Sequence, residues 1–199
     1  MKSLLIATTN PAKFEEASLA LQLPDISLMG LKDFADIIPV EETGATFEEN
    51  AILKAKGYFE QTHIPCIADD GGLMIDYLDG APGVHSNRWL GRPASSEELA
   101  EAIIEKMHGV PQEKRAARLG GTIVFYDGMH IIKSECWLQG YIAEQLMGDM
   151  IPGFPYRSLL MIPQFGKSYG NLTESEHAQV NFRRKNLQIL KPKILEMLR

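Results

Sequence analysis

The chain is short of the residues that would tie it together covalently or to a metal. It has only two cysteines in 199 residues, Cys66 and Cys136. Each lies in an apolar stretch, so both read as small buried hydrophobes rather than as a disulfide or a thiolate site. His63, His85, His108, His130 and His177 show no paired ligand spacing, which leaves no case for zinc. Long apolar runs are missing too. The stretch from Leu4 to Ala7 is too brief for a secretory segment or a membrane span, and the expectation is a soluble, cytoplasmic protein with no membrane partner. Positive charge is in deficit, 20 Lys and Arg against 26 Asp and Glu for a formal net charge of −6. That argues against a nucleic-acid binder, which needs a cationic surface. It still allows a small anionic ligand held by a few lysines, backbone N–H groups and a divalent cation. No internal repeat or low-complexity segment is visible, and the Gly-x-x-x-x-Gly-Lys spacing of a P-loop is absent.

What is present is a regular alternation of strand and helix signals. Hydrophobic residues make up 45% of the chain, enough for one sizeable core or two closely joined lobes. Ser3 to Ala7 reads as a buried strand. Asn10 and Pro11 then suit the cap and first position of a helix running to about Leu21. Thr46 and Glu49 form a capping-box pattern, behind which Phe47, Ala51, Ala55 and Phe59 share one helical face to about Thr62. Cys66 to Ala68 reads as a short strand ending at Asp69-Asp70-Gly71-Gly72, with a further strand at Leu73 to Leu78. A helix is expected from Ser95 to Met107. A long hairpin, Arg118 to Tyr126 and Met129 to Tyr141, is expected around Asp127-Gly128. Gly148 to Pro163 is rich in glycine and proline and reads as a functional or connecting loop. Thr173 to Glu176 is a second capping box, opening a helix toward Arg199. The order predicts an α/β fold with a mixed sheet. The hairpin region, about residues 115–142, falls in a second lobe, and a cleft between the lobes is the natural ligand site.

Two constellations carry chemistry. At Thr8-Thr9-Asn10-Pro11-Ala12-Lys13 a strand end feeds a helix N-terminus, whose unpaired N–H groups and dipole attract anions. Lys13 sits against the dipole preference there, which a bound anion would explain; the plainer reading is a capped helix with an exposed lysine. At Asp69-Asp70 two carboxylates leave a strand where ligands gather in α/β sheets. Their mutual repulsion would raise one pKa unless a cation lies beside them. With Glu41 or Glu42 they could hold Mg²⁺ and activate a water; the plainer reading is a polar turn. Lys54 and Lys56, on the capped helix, read by themselves as a solvated face.

Together these blocks resemble the inosine/xanthosine triphosphate pyrophosphatase family. The resemblance runs in order from Ala7-Thr8-Thr9-Asn10-Pro11-Ala12-Lys13 through Glu41 to Ala51, Lys54-Ala55, Ile67 to Leu73, and Gly80 to Arg88. It implies a Mg²⁺-dependent hydrolase that cuts a nucleoside triphosphate to the monophosphate and pyrophosphate, acting on the ITP, dITP and XTP class. It also implies a single domain over residues 1–199, an elongated two-lobed α/β fold with a central mixed twisted sheet, and a homodimer. Carried over by position, Thr8, Thr9, Asn10 and Lys13 would hold the triphosphate, with Lys54 also on the substrate. Glu41 or Glu42 and Asp70 would serve the metal. Asp70 would orient or deprotonate the attacking water with Asp69 in support, and Gly71 would lie beside the substrate.

The second half departs from the family pattern. A Gly-Phe-Gly-Tyr-Asp-Pro block reads here Gly153-Phe154-Pro155-Tyr156-Arg157-Ser158. It keeps Phe154 and Tyr156 to stack on the base but replaces an acceptor by the donor-only Arg157. A family lysine is matched by His177, and Ser-His-Arg by Asn181-Phe182-Arg183, in which Arg183 alone survives. Gly71 removes one hydroxyl. These changes fall on base recognition and predict altered base preference. The rival expectation is a nucleotide-binding or regulatory relative with weakened catalysis.

Overall fold

A computed structural model describes residues 2–23, 25–86, 89–92, 94–151 and 153–198. Asn87 and Arg88, the end of one resembling block, lie outside the described residues. The fold is α/β around a seven-stranded mixed sheet of order β2-β1-β3-β4-β5-β6-β7. The strands are β1 Lys2–Ile6, β2 Ile26–Gly30, β3 Cys66–Ile75, β4 Ala116–Tyr126, β5 Ile131–Ile142, β6 Leu160–Ile162 and β7 Lys167–Ser168. The helices are α1 Pro11–Leu21, α2 Phe47–Thr62, α3 Ser96–Lys106, α4 Glu174–Val180 and α5 Phe182–Met197. β1 runs parallel to both β2 and β3, whereas β5, β6 and β7 pair antiparallel in sequence. No helix among the described residues is long and apolar enough to cross a membrane.

The chain divides into two compact units. The first comprises Met1–Asp70, Gly121–Cys136 and Phe182–Arg199. Successive strand residues point to opposite faces of a sheet, and this unit uses both. On one face Leu4 and Ile6 of β1, Ile67 of β3, and Ile123 and Phe125 of β4 pack with Ala17 and Leu21 of α1 and with Leu187, Leu190 and Ile194 of α5. On the other, Leu5, Ala7, Cys66, Ala68 and Val124 pack with Ala51, Ala55 and Tyr58 of α2. The expected caps form: Asn10 accepts from the Ala12 and Lys13 N–H groups with Pro11 at the first position, and Thr46 accepts from the Glu49 N–H.

The second unit comprises Gly71–Gly120 and Trp137–Asn181. Its centre is Arg115, 2% exposed. The guanidinium donates to the carbonyls of Ile142 at 2.6 Å, Ala143 at 2.6 Å, Met107 at 2.8 Å and Val110 at 3.2 Å. One planar fork thereby satisfies the end of α3 and the end of β5 together.

Four expectations change. Asp69 to Gly72 do not break the strand: β3 is continuous from Cys66 to Ile75, and residues 76–78 form a 3-10 turn instead of extending it. The Gly148 to Pro163 stretch is largely buried from Tyr156 onward and supplies β6. The C-terminal helix is two helices, because Asn181 is extended at φ −62° and ψ 108°. β2 was not anticipated, since its five residues carry no clear alternation and gain their order from pairing with β1.

Candidate active site

Asp69 and Asp70 are neighbours in a strand, so their carboxylates leave opposite faces of the sheet. This separation removes the mutual repulsion expected of two carboxylates at a strand end, and it gives each its own surroundings.

Asp69 points to the α1 and α5 face. Its Oδ2 accepts from Lys13 Nζ at 3.3 Å and from Arg183 Nε at 3.1 Å and Nη2 at 2.8 Å. Arg183 also donates through Nη1 to Glu16. Burial alone would push the Asp69 carboxyl up, but Lys13, Arg183 and Lys54 outweigh it and hold the group far below the usual carboxylate range. Arg183 is thus enclosed in an ion-pair cluster, with a side chain only 5% exposed, rather than directed at open space. Burial, opposed by Asp69, brings the Lys13 ammonium below its ordinary pKa. Ahead of Lys13, Thr8 Oγ1 accepts the Asn10 N–H at 3.1 Å. Thr9 is exposed.

Asp70 points to the α2 face. Its Oδ1 accepts from Lys54 Nζ at 2.8 Å, and the same ammonium lies 3.4 Å from Glu42 Oε1. Lys54 is therefore buried between two carboxylates, not on a solvated face. Against burial, Asp70, Asp69 and Glu42 raise its pKa. Asp70 Oδ2 is buried with no hydrogen-bond donor. Burial, with the Glu42 carboxyl adding to it and Lys54 opposing, raises Asp70 to about 6. Of the two candidate glutamates, Glu42 is half-buried beside Lys54 and Glu41 is exposed.

Two carboxylates converging on one lysine, one of them with a buried oxygen lacking a donor, are the hard oxygen ligands a small divalent cation takes. No group of three or more His, Cys, Asp or Glu among the described residues could hold a metal.

The remaining predicted residues belong to the second unit. Gly71 follows Asp70 in β3. Phe154, half-buried, carries the Arg157 guanidinium on its ring face at 3.6 Å from the centroid, and Arg157 also lies 5.0 Å from the Tyr169 ring. The Tyr169 ring stacks on His177 at 4.7 Å and 15°. Phe154, Arg157, Tyr169 and His177 thus form one ladder of planar groups. Tyr156 stands apart from it. The ring is 5% exposed, its hydroxyl donates to the Ser86 carbonyl at 2.7 Å, and burial pushes the phenol above its usual range. This geometry anchors a loop and leaves no open ring face for a base.

Sequence reading missed Glu16 and Tyr169. Glu16 lies one turn after Lys13 on α1, a spacing that marks a shared helix face, but its partner Arg183 is 167 residues away. Tyr169 carries no local signal and is found only through its stacking partners.

Comparison with known proteins gives one consistent result. The model of the Ham1 family matches residues 4–193. The dITP/XTP pyrophosphatase of Bacillus cereus is 35% identical over 98% of this chain and 96% of its own length. That of Geobacillus kaustophilus is 37% identical over 94% and 91%. Among solved structures, the Ham1 protein of Staphylococcus aureus superposes with a TM-score of 0.86 at 29% identity, covering 98% of this chain and 100% of that one. The dITP/XTP pyrophosphatase of Mycobacterium abscessus gives 0.77 at 31%, covering 96% and 99%.

Proposed function

Because the chain belongs to the Ham1 family, we propose that it is a Mg²⁺-dependent pyrophosphatase that cleaves nucleoside triphosphates of the ITP, dITP and XTP class into the monophosphate and pyrophosphate. The observation that carries this reading is the gathering of the Asp70 and Glu42 carboxylates on Lys54, with Asp70 Oδ2 buried and without a hydrogen-bond donor. The relatives' printed activity on dITP and XTP supports the substrate class. The resemblance adds a cytoplasmic homodimer.

In this mechanism Asp70 and Glu42 are the protein ligands of the cation, which when bound neutralises phosphate charge. The N-terminus of α1 and Lys13 grip the triphosphate, and Asp69, pinned by Arg183, holds Lys13 in place. Asp70 would also orient the attacking water and take its proton as the water oxygen bonds to the α-phosphorus and pyrophosphate leaves. Asp69 is too weak a base to share that role.

Pyrophosphate release across inosine, xanthosine, guanosine, adenosine and deoxyuridine triphosphates tests the reading. Turnover is expected on the first two, with Asp70→Asn lowering kcat by about 10²–10⁴-fold, the usual contribution of a positioned base. Nucleotide binding without turnover on every substrate would instead mark a regulatory protein.

A further inference from the structure

The segment carrying Glu42 has no regular secondary structure, yet it is fastened along its length to α2. Gln61 accepts from the Ile38 N–H at 2.7 Å and donates to the Ile38 carbonyl at 3.0 Å. The Val40 N–H donates to the Tyr58 hydroxyl at 3.4 Å. The Gly44 N–H donates to Asn50 Oδ1 at 2.7 Å, and the Ala45 N–H to Glu49 at 2.7 Å. Every side chain in this strap belongs to α2, the helix that also supplies Lys54.

Asn50 differs from the others. It is fully buried, and its Nδ2 has no hydrogen-bond partner. An unpaired buried amide is costly, and a leucine of similar shape would avoid it. What asparagine contributes at this position is the acceptor for Gly44, two residues after Glu42. The fit there is close. A Cβ on Gly44 would come within 2.6 Å of Glu49 Cβ, 2.7 Å of Asn50 Oδ1 and 3.0 Å of the Asn50 backbone nitrogen. Asn50 also lies one helical turn before Lys54, on the same face. A single side chain thereby sets the register of the acidic segment against the lysine that Glu42 and Asp70 share.

We propose that Asn50 is a positioning residue for the cation site: through Gly44 it fixes where Glu42 meets Asp70, without itself touching metal or substrate. The proposal rests on the reading of Glu42 and Asp70 as the ligands. Partners that orient a metal ligand typically cost 10–100-fold in metal affinity when lost.

The test is a Mn²⁺ titration of the full chain followed by electron paramagnetic resonance, with the Mg²⁺ dependence of kcat measured alongside. Asn50→Leu is expected to weaken Mn²⁺ binding by about 10-fold or more, with kcat returning near the wild-type value at saturating Mg²⁺. Gly44→Ala, which presses the segment away from Asn50, should weaken Mn²⁺ to a similar extent. The double variant should be no worse than the weaker-binding single, since both break one contact. Wild-type Mn²⁺ affinity in a folded Asn50→Leu or Gly44→Ala protein overturns the proposal, as does an additive loss in the double variant. Glu42→Gln separates the two levels. If it binds Mn²⁺ as the wild type does, the ligand assignment itself fails and the proposal falls with it.

Discussion

Asp69 and Asp70 are adjacent and chemically identical, and the pleat of one strand makes them opposites. Asp69 is surrounded by cations and held ionised; Asp70 is opposed by a second carboxylate and raised. The difference predicts how stability follows pH. A carboxyl whose folded pKa is depressed stabilises the protein fully above its unfolded value, about 4, and loses that contribution as pH falls through the folded value. Asp69→Asn should therefore lower unfolding free energy by roughly 3 kcal/mol at pH 7, because it strips a partner from the buried Arg183 and Lys13. The gap to wild type should begin to narrow below about pH 4 and go on narrowing as pH falls toward the folded value. Urea titrations of both proteins at about pH 7 and about pH 2 measure the narrowing, and a pH-independent gap would contradict the assignment. At this scale the sequence was legible in kind but not in direction. The two aspartates, Lys13 and the glutamate pair could be named from spacing and resemblance. Which aspartate faced which helix depended on β3 passing unbroken through Asp69 and Asp70, and the following glycines pointed to a turn there.

Helix α2 does two jobs: its apolar side closes the core over Ala51, Ala55 and Tyr58, and its other contacts hold the acidic segment. Gly57 shows how the second constrains the helix. Alanine in place of a mid-helix glycine ordinarily stabilises by about 1 kcal/mol. Here a Cβ would lie 2.7 Å from Val40 Cγ2, and valine has little rotamer freedom to yield. Gly57→Ala should thus destabilise by up to about 2 kcal/mol net, the ~1–3 kcal/mol of overpacking less the helix gain, read as a lower thermal midpoint. A raised midpoint would show that the segment gives way easily. The cap at Thr46 and most of this helix's buried face were visible from periodicity. The strap was not, because irregular backbone held by side chains has no repeat to read.

On the scale of the molecule, neither unit is a continuous piece of chain. The first draws its sheet from two separated segments and one face of its core from a third, α5, which supplies Leu187, Leu190 and Ile194. Asn186 of the same helix, fully buried, donates to the Gly121 carbonyl at 3.1 Å. Deleting residues 182–199 should therefore abolish the cooperative thermal transition of the first unit, although every other candidate residue of its site precedes the cut. Calorimetry of the shortened chain checks this; an intact transition would mean that α5 only decorates the sheet. The α/β class and mixed sheet followed from the strand and helix order. The interleaving of segments did not, since long-range pairing leaves no local trace.

The Asp69–Arg183 contact has a consequence in time. The two residues are 114 positions apart, and at synthesis rates of about 5–20 residues per second some 6–23 s pass between making one and making the other. Throughout that interval the growing chain already contains Lys13 and Asp69 but lacks the arginine that pins them. A chain stalled on the ribosome before residue 183 would lack, together with that arginine, the last segment of the first unit's core.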